Sequence, residues 1–354
     1  MKYLLVTIGS IGDLMPFLAV ADALRQRGHK VVIAANAGYA ALVSASGFEF
    51  AIISDRPNQA LDDALAQDPG KAWERVRQDV LIPATAPVRN FIAHHAQTGA
   101  CKVLASWTAF GARQARRELG VSLYTAYLAP HAVALDHAPA GEGVRIGFFP
   151  SWFGQAPGDG IRLTGFPMPA DAQVPPLPPD VAAFLQMGPA PVILTPGSFM
   201  RRSNSFFAEA IKACELLGLR AIFLTPYADQ VPSLPPTIRH FQFVSLQRLA
   251  KSCAALVHHG GIGTCAQGLR AGIPQLVTPV FFDQPDNASH LEALGVGSHL
   301  ENFEADAVRK RLDDLLSSQS VSANCASVRE RFGGTAPSQA MVTSPWSGPI
   351  PDTT

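Results

Sequence analysis

The sequence predicts an α/β protein with two domains, each built around a parallel β-sheet. In the first fifty residues, short apolar strands alternate with helices, which is the pattern of right-handed β-α-β units. The same alternation starts again near Pro191, after the proline-rich stretch VPPLPPD at 174–180. A chain of 354 residues is long for one domain and leaves room for two hydrophobic cores.

The N-terminal half carries the clearer periodicity. Apolar side chains recur at helical spacing from Phe17 to Leu24, and Gly28 follows where such a helix would end. We expect strands at 3–8, 30–35, 49–53, 102–106 and 121–127, with helices at 14–27, 39–46, 72–96 and 109–119. From Leu128 onward, frequent Gly and Pro residues predict an irregular run.

The C-terminal half repeats the pattern. We expect strands at 191–195, 220–224, 240–244, 254–257 and 275–278, with helices at 203–217, 262–271, 304–316 and 320–332. The expected domains are 1–165 and 181–334, joined by a linker at 166–180. The tail at 335–354 is rich in Ser, Thr, Pro and Gly, which predicts disorder.

The amino-acid composition favours some classes of ligand and excludes others. Hydrophobic residues make up 47% and charged residues 16%, against roughly a quarter charged in an average soluble protein, which suits a lipophilic substrate. The 28 basic and 28 acidic residues cancel and form no block of like charge, so nucleic-acid binding has no electrostatic support.

Five scattered cysteines without a C-x-x-C pair indicate a reducing compartment and no zinc site. No apolar run reaches the roughly 18 residues of a membrane span. We expect a cytoplasmic protein, with peripheral contact at the inner face of the membrane as the alternative.

The stretch HHGGIGT at 258–264 stands between a predicted strand and a predicted helix. Such a turn directs backbone N–H groups and the positive end of the helix dipole at a ligand, which suits a phosphate. His259 could be an ordinary turn histidine, but the two glycines that follow it favour phosphate contact. No metal is predicted at His258 and His259, because a third ligand at suitable spacing is missing.

A second loop follows the strand at 275–278 and carries Asp283 and Gln284. Both side chains suit hydrogen bonding to sugar hydroxyls, and ligands of open parallel sheets bind at the carboxyl ends of the strands. Asn287 could begin the next helix or assist the sugar contact. Together the two loops predict a nucleotide-sugar site.

The loop GSIGD at 9–13 lacks the third glycine of a dinucleotide fingerprint, because Met15 and Pro16 follow, so NAD and FAD are discounted. Asp13 could cap the helix that follows, which is a common use of Asp.

The segment HHGGIGTCAQGLRAGIPQLVTPVFFDQPDNA resembles the donor-binding signature of the family 1 GT-B glycosyltransferases that act on small lipophilic acceptors, and GSIGDLMPFLAVADAL resembles their first loop. The pieces TPGSFM, FFPSWFG and LTGFP resemble the rhamnolipid-type rhamnosyltransferases, and the antibiotic and sterol glycosyltransferases are also similar. The resemblance implies the GT-B fold, with two Rossmann-like β/α/β domains facing each other across a cleft. It implies a UDP- or dTDP-sugar donor, a hydroxy fatty acid, glycolipid or other natural-product acceptor, and Asp13 as general base. It implies acceptor contacts at Ser10, Ile11, Gly12 and His131, and donor contacts at Gly197, Ser198, Val244, His259, Gly261, Gly263, Thr264, Asp283, Gln284 and Asn287.

We therefore expect an inverting, metal-independent glycosyltransferase without a cofactor. An epimerase of the same fold is one alternative. A nucleotide-sugar-binding relative with impaired transfer is another, because related enzymes carry several dozen more residues between Pro130 and Ile146. The sequence leaves the oligomeric state open.

Overall fold

The computed structural model describes residues 1–55, 71–136, 141–154, 160–197 and 204–332. Contacts divide the chain into two units, of which the first begins at Met1 and ends at Pro169 and the second runs from Ala170 to Gly334. The division falls inside the range 166–180 that the sequence predicts as a linker. The predicted tail at 335–354 lies outside the described residues.

The first unit contains a parallel sheet of seven strands in the order β3-β2-β1-β4-β5-β6-β7. The strands are β1 (Lys2–Val6), β2 (Lys30–Asn36), β3 (Glu49–Ser54), β4 (Cys101–Ser106), β5 (Ser122–Tyr127), β6 (Val144–Gly147) and β7 (Ile161–Leu163). The helices are α1 (Ile11–Gln26), α2 (Ala40–Ala45), α3 (Ala72–Val76), α4 (Thr85–Gln97), α5 (Phe110–Leu119) and α6 (Pro130–Leu135), with a π-helical turn at Arg77–Leu81. The central strands are buried, and one face of the sheet packs on apolar residues of α4 and α5. This explains why the strands read as continuous apolar runs.

The sequence does not predict two strands of this sheet, β6 and β7. The sequence predicts an irregular run after Leu128, but β6 pairs with β5 and β7 pairs with β6, both in parallel register. Gly143 has φ +110°, and a Cβ at this position would lie 2.4 Å from the backbone oxygen of Leu123. The glycine that suggests a loop therefore permits the close approach that starts β6.

The second unit contains a parallel sheet of six strands in the order β10-β9-β8-β11-β12-β13. The strands are β8 (Val192–Thr195), β9 (Ala221–Leu224), β10 (Ile238–Phe241), β11 (Ala255–His258), β12 (Gln275–Val277) and β13 (Gly297–His299). The helices are α7 (Pro179–Gln186), α8 (Asn204–Leu216), α9 (Leu246–Leu249), α10 (Ile262–Ala271), α11 (Gln284–Ala293), α12 (Ala305–Ser317) and α13 (Gln319–Glu330). Apolar clusters cover both faces of the sheet. The predicted strand at 240–244 is displaced, because the observed strand ends at Phe241, and β13 is a strand that the sequence analysis misses.

The start of the second unit is held by ion pairs. Asp171 accepts hydrogen bonds from Gln247 at 2.7 Å and from Lys251 at 2.7 Å. Arg270 reaches the same carboxylate at 2.9 Å, and Arg248 donates to the backbone oxygen of Asp171 at 2.7 Å. The lysine bond is the largest of several interactions that lower the pKa of Asp171 to about 2. The residues that follow Ala170 are therefore fixed to the second sheet and its helices.

None of the helices in the described ranges combines the length and hydrophobicity needed to span a bilayer. All five cysteines are free and buried.

Candidate active site

Asp13 lies in the first turn of α1, directly after the loop that leaves β1. Ser10 caps this helix, and its hydroxyl accepts from the backbone N–H of Asp13 at 3.3 Å. In return, Oδ2 of Asp13 accepts from the backbone N–H of Ser10 at 2.6 Å and from its hydroxyl at 2.7 Å. Within the described part of the chain, the hydrogen bonds that other residues donate to the Asp13 carboxylate all go to Oδ2. The cap thus uses one carboxylate oxygen and leaves the other available.

The electrostatics of Asp13 favour proton transfer. Desolvation raises the pKa of its carboxyl group above the ordinary value, and this effect outweighs the hydrogen bonds from Ser10 and from the backbone N–H of Asp13 itself, which lower the pKa. A carboxylate with a raised pKa is a stronger base than an exposed one. The arrangement can therefore accept a proton through Oδ1 while Ser10 holds Oδ2.

Gly9 determines where this carboxylate can lie. Its φ is +150°, and a Cβ at this position would stand 2.5 Å from Oδ2 of Asp13. The hydroxyl of Tyr39 donates to the backbone oxygen of Gly9 at 3.2 Å and so holds the loop. Gly9 was not predicted as a site residue, although its place directly before the cap was a usable signal.

The predicted acceptor residues lie at the same edge of the first sheet. Ser10 is committed to the cap, whereas Gly12 is exposed and Ile11 half-buried in the first turn of α1. His131 is half-buried in α6, which follows β5, and β4 lies between β5 and β1. His131 therefore follows a strand, β5, that lies two strands away in the sheet from β1, the strand that precedes Asp13.

In the second unit, the turn between β11 and α10 is built on Gly260. Its φ is +92°, and a Cβ would lie 2.7 Å from Cγ1 of Val277, so only glycine fits without rearrangement. The backbone N–H of Gly260 donates to Nδ1 of His258 at 3.0 Å. The proton of His258 is therefore on Nε2, which donates to Oε1 of Gln275 at 2.9 Å. His258 and Gln275 are both 0% exposed, so His258 supports the turn from behind.

His259 lies between two glycine backbones. A Cβ on Gly197 would lie 2.9 Å from its ring, and a Cβ on Gly261 would lie 2.5 Å from Nε2. Nδ1 of His259 is buried and has no hydrogen-bond partner in the described residues. Desolvation lowers the pKa of His259 to about 4, so the ring is neutral near pH 7. Because β8 and β11 are neighbours, Gly197 and His259 meet at one edge of the sheet.

The N-terminus of α10 is open to a ligand. Gly261 is its N-cap residue and no side chain caps the helix, so its first backbone N–H groups have no intrahelical partner. Gly263 is exposed in the first turn and Thr264 is half-buried beside it. The turn therefore offers N–H groups and a helix dipole to an anion.

The loop after β12 carries the predicted sugar contacts. Oε1 of Gln284 accepts from the backbone N–H groups of Val280 at 2.8 Å and Phe281 at 3.3 Å. Gln284 was expected to bind sugar hydroxyls, but its oxygen is already used, the residue is only 6% exposed, and only its amide N–H groups remain. Nδ2 of Asn287 donates to the backbone oxygen of Gly260 at 2.9 Å and to Oδ2 of Asp283 at 2.8 Å.

Three further predicted donor residues are not seen where a donor contact would need them. Asn287 is 0% exposed, so the structure places it behind the loop, where the sequence analysis left its role open. Val244 is buried in an apolar cluster and follows β10 instead of lying in a strand. Ser198 lies outside the described residues. Thr278, directly after β12, was not predicted as a site residue, although its buried hydroxyl has no partner among the described residues.

No group of three metal-ligating side chains is found in the part of the chain that the structure describes.

Two family models match parts of this chain. The family model described as "Glycosyltransferase family 28 N-terminal domain" matches residues 3–96 of the sequence. The family model described as "Erythromycin biosynthesis protein CIII-like, C-terminal domain" matches residues 222–344. Together the two matches cover more than half of the chain.

Individual relatives match over different lengths. The glycosyltransferase GtfE of Amycolatopsis orientalis is 28% identical over 84% of this chain and 85% of its own. The O-mycaminosyltylonolide 6-deoxyallosyltransferase of Streptomyces fradiae is 26% identical over 84% of this chain and 85% of its own. The aclacinomycin-T 2-deoxy-L-fucose transferase of Streptomyces galilaeus is 39% identical over 29% of this chain, and the match spans 24% of that relative.

Among solved structures, the spinosyn rhamnosyltransferase SpnG complexed with thymidine diphosphate superposes with a TM-score of 0.76 at 21% identity, over 97% of this chain and 99% of its own. This similarity shows that the fold is GT-B. The chain belongs to the GT-B glycosyltransferases, and the predicted family and fold are confirmed.

Proposed function

We propose that the chain transfers a sugar from a nucleoside diphosphate to a hydroxyl of a lipophilic natural product, with inversion and without a metal ion. The observation that carries this proposal is the carboxylate of Asp13, whose Oδ1 accepts no hydrogen bond from another described residue and whose pKa is raised. A purely structural cap needs neither property.

In the proposed reaction, Oδ1 of Asp13 accepts the proton of the acceptor hydroxyl. The hydroxyl oxygen forms a bond to the anomeric carbon as the bond from that carbon to the diphosphate oxygen breaks. The electron pair of the broken bond leaves with the nucleoside diphosphate. A single displacement of this kind inverts the anomeric configuration.

The second unit would bind the donor. The uncapped N-terminus of α10 and the Thr264 hydroxyl supply donors to the diphosphate. Neutral His259 adds a hydrogen bond from whichever ring nitrogen carries its proton. These groups supply the charge stabilisation that other glycosyl transfers take from a metal ion. Asp283 and the amide N–H groups of Gln284 would bind sugar hydroxyls.

Relatives indicate the substrate class. Several bear names that specify deoxysugars, including 2-deoxy-L-fucose and 6-deoxyallose, and the SpnG structure contains thymidine diphosphate. We therefore favour a dTDP-deoxysugar, rhamnose among them, and a polyketide-like or lipid acceptor.

A thermal-shift screen of dTDP- and UDP-sugars should identify the donor, because a ligand at a hundredfold excess over Kd stabilises the folded state by about 2.7 kcal/mol. With that donor and an acceptor panel, Asp13→Asn should lower kcat by about 10²- to 10⁴-fold and leave donor affinity nearly unchanged. Asp22→Asn is the matched control, because Asp22 lies on the same helix and pairs with exposed Arg25.

Three results would contradict the proposal. A parallel loss of donor affinity in Asp13→Asn would show that Asp13 is not the base. Isomerised donor in the absence of acceptor would indicate an epimerase. Loss of transfer on adding EDTA, restored by Mg²⁺, would show that a metal ion is required.

A further inference from the structure

Asn287 connects the two loops of the donor site without facing the donor. Its Nδ2 donates to the backbone oxygen of Gly260, in the turn between β11 and α10 (the phosphate turn). It also donates to Oδ2 of Asp283, in the loop between β12 and α11 (the sugar loop). Asn287 is completely buried, so its amide can influence a bound sugar only through the groups it holds. We propose that Asn287 is a positioning residue that aligns the Asp283 carboxylate with the phosphate turn, an inference that rests on the proposed donor role of Asp283.

The Asp283 carboxylate would otherwise have another partner. Asp283 is the N-cap residue of α11, where an aspartate usually accepts from backbone N–H groups of the first turn. No such bond forms here, and Oδ2 turns to Nδ2 of Asn287 at 2.8 Å. Oδ2 of Asp283 is therefore bonded to Asn287 and not to the backbone of the helix that Asp283 begins.

The other end of the connection is rigid. Gly260 donates its N–H to His258 at 3.0 Å, while its oxygen accepts from Asn287 at 2.9 Å and from Sγ of Cys265 at 3.4 Å. Gly260 is buried and glycine-specific, so its peptide is a fixed reference point. A carboxylate tied to this peptide moves with the phosphate turn.

The bonds of Asn287 come with an energetic cost. Its Oδ1 is buried and unpartnered within the described residues. An apolar side chain of similar size would avoid this unsatisfied acceptor. The two hydrogen bonds from Nδ2 are therefore the reason for a polar side chain at this position.

A double-mutant cycle with Asp283 tests the proposal. Binding of dTDP-glucose and of dTDP is measured by calorimetry for the wild type, Asn287→Ala, Asp283→Ala and the double variant. UDP-glucose and UDP replace this pair if dTDP-glucose does not bind. Each single substitution should weaken binding of the sugar nucleotide about tenfold, as expected for loss of a hydrogen bond that involves a charged group. The double variant should be no more than about threefold weaker than Asp283→Ala, because the two residues act as a unit.

Binding of the nucleoside diphosphate alone should change less than about threefold in all variants, since the carboxylate serves the sugar. Ser289→Ala, which removes an exposed hydroxyl bonded to Pro285 on the same helix, is the control and should bind like the wild type. If Asn287→Ala shows no cooperative melt, Asn287→Ser replaces it in the same cycle.

The outcomes separate the two proposals. An Asn287 effect of equal size with and without Asp283 would overturn the positioning role and leave the donor role intact. A tenfold loss of dTDP affinity in Asn287→Ala would also overturn it, because Asn287 would then act on the phosphate turn. Unchanged sugar-nucleotide affinity in Asp283→Ala would overturn the donor role of Asp283 and this inference with it.

Discussion

Acid should destabilise the second unit through His258. The ring is 0% exposed, and desolvation is the largest of the effects that lower its pKa from 6.5 to about 3. Nδ1 accepts the N–H of Gly260, and a protonated ring could not accept that bond. The folded state therefore excludes a proton that the unfolded chain binds below pH 6.5.

The magnitude follows from linkage. A group whose folded pKa is depressed contributes stability that is present above its unfolded pKa and is lost as the pH falls toward the folded value. Each pH unit in this window costs about 1.4 kcal/mol. Between pH 7.5 and 5.0, His258 should therefore remove about 2 kcal/mol from the free energy of unfolding.

The test compares the wild type with His258→Gln, which carries a neutral donor and acceptor and does not titrate. Urea unfolding is followed by far-UV circular dichroism from pH 7.5 to 5.0, and hydrogen exchange of peptides covering 255–277 assigns the transition of the second unit. The wild type should lose about 2 kcal/mol more than the variant over this range. His259 titrates in both proteins, so the difference isolates His258. Parallel stability curves for the two proteins would refute the reasoning.

Two further predictions follow from the described contacts. Gly9→Ala should lower kcat by displacing the Asp13 carboxylate, whereas Gly28→Ala, at a glycine that also has a positive φ (+76°) but nothing within 4 Å of an added Cβ, should lower the melting temperature and leave kcat near the wild-type value; equal kcat losses in both variants would contradict this. Asp171→Asn should lower stability at pH 7 by about 1 kcal/mol after solvent screening. Because the folded pKa of Asp171 is depressed from 3.8 to about 2, this difference should disappear in urea titrations as the pH falls through that interval, and a pH-independent difference would exclude the ion pairs as its cause.

The sequence by itself determined the features that depend on neighbouring residues. Apolar strand runs and helical spacing predicted most strands and helices of both units, because strand and helix periodicities are local. The strand–turn–helix pattern at HHGGIGT predicted where α10 begins, and the N–H groups of its first turn are open because a helix N-terminus exposes them whatever surrounds it. The family resemblance rested on the same local stretches.

The tertiary structure decided what depends on partners distant in the chain. β6 and β7 exist because they pair with strands already in the sheet, although their own residues predict a loop. His258 and His259 are adjacent in sequence, yet one supports the turn and the other lies between two glycine backbones, since successive residues at a strand end point in different directions. Asn287 takes its supporting position only because α11 brings it within 2.9 Å of Gly260, twenty-seven residues earlier in the chain. Such contacts arise from packing, which no local pattern encodes.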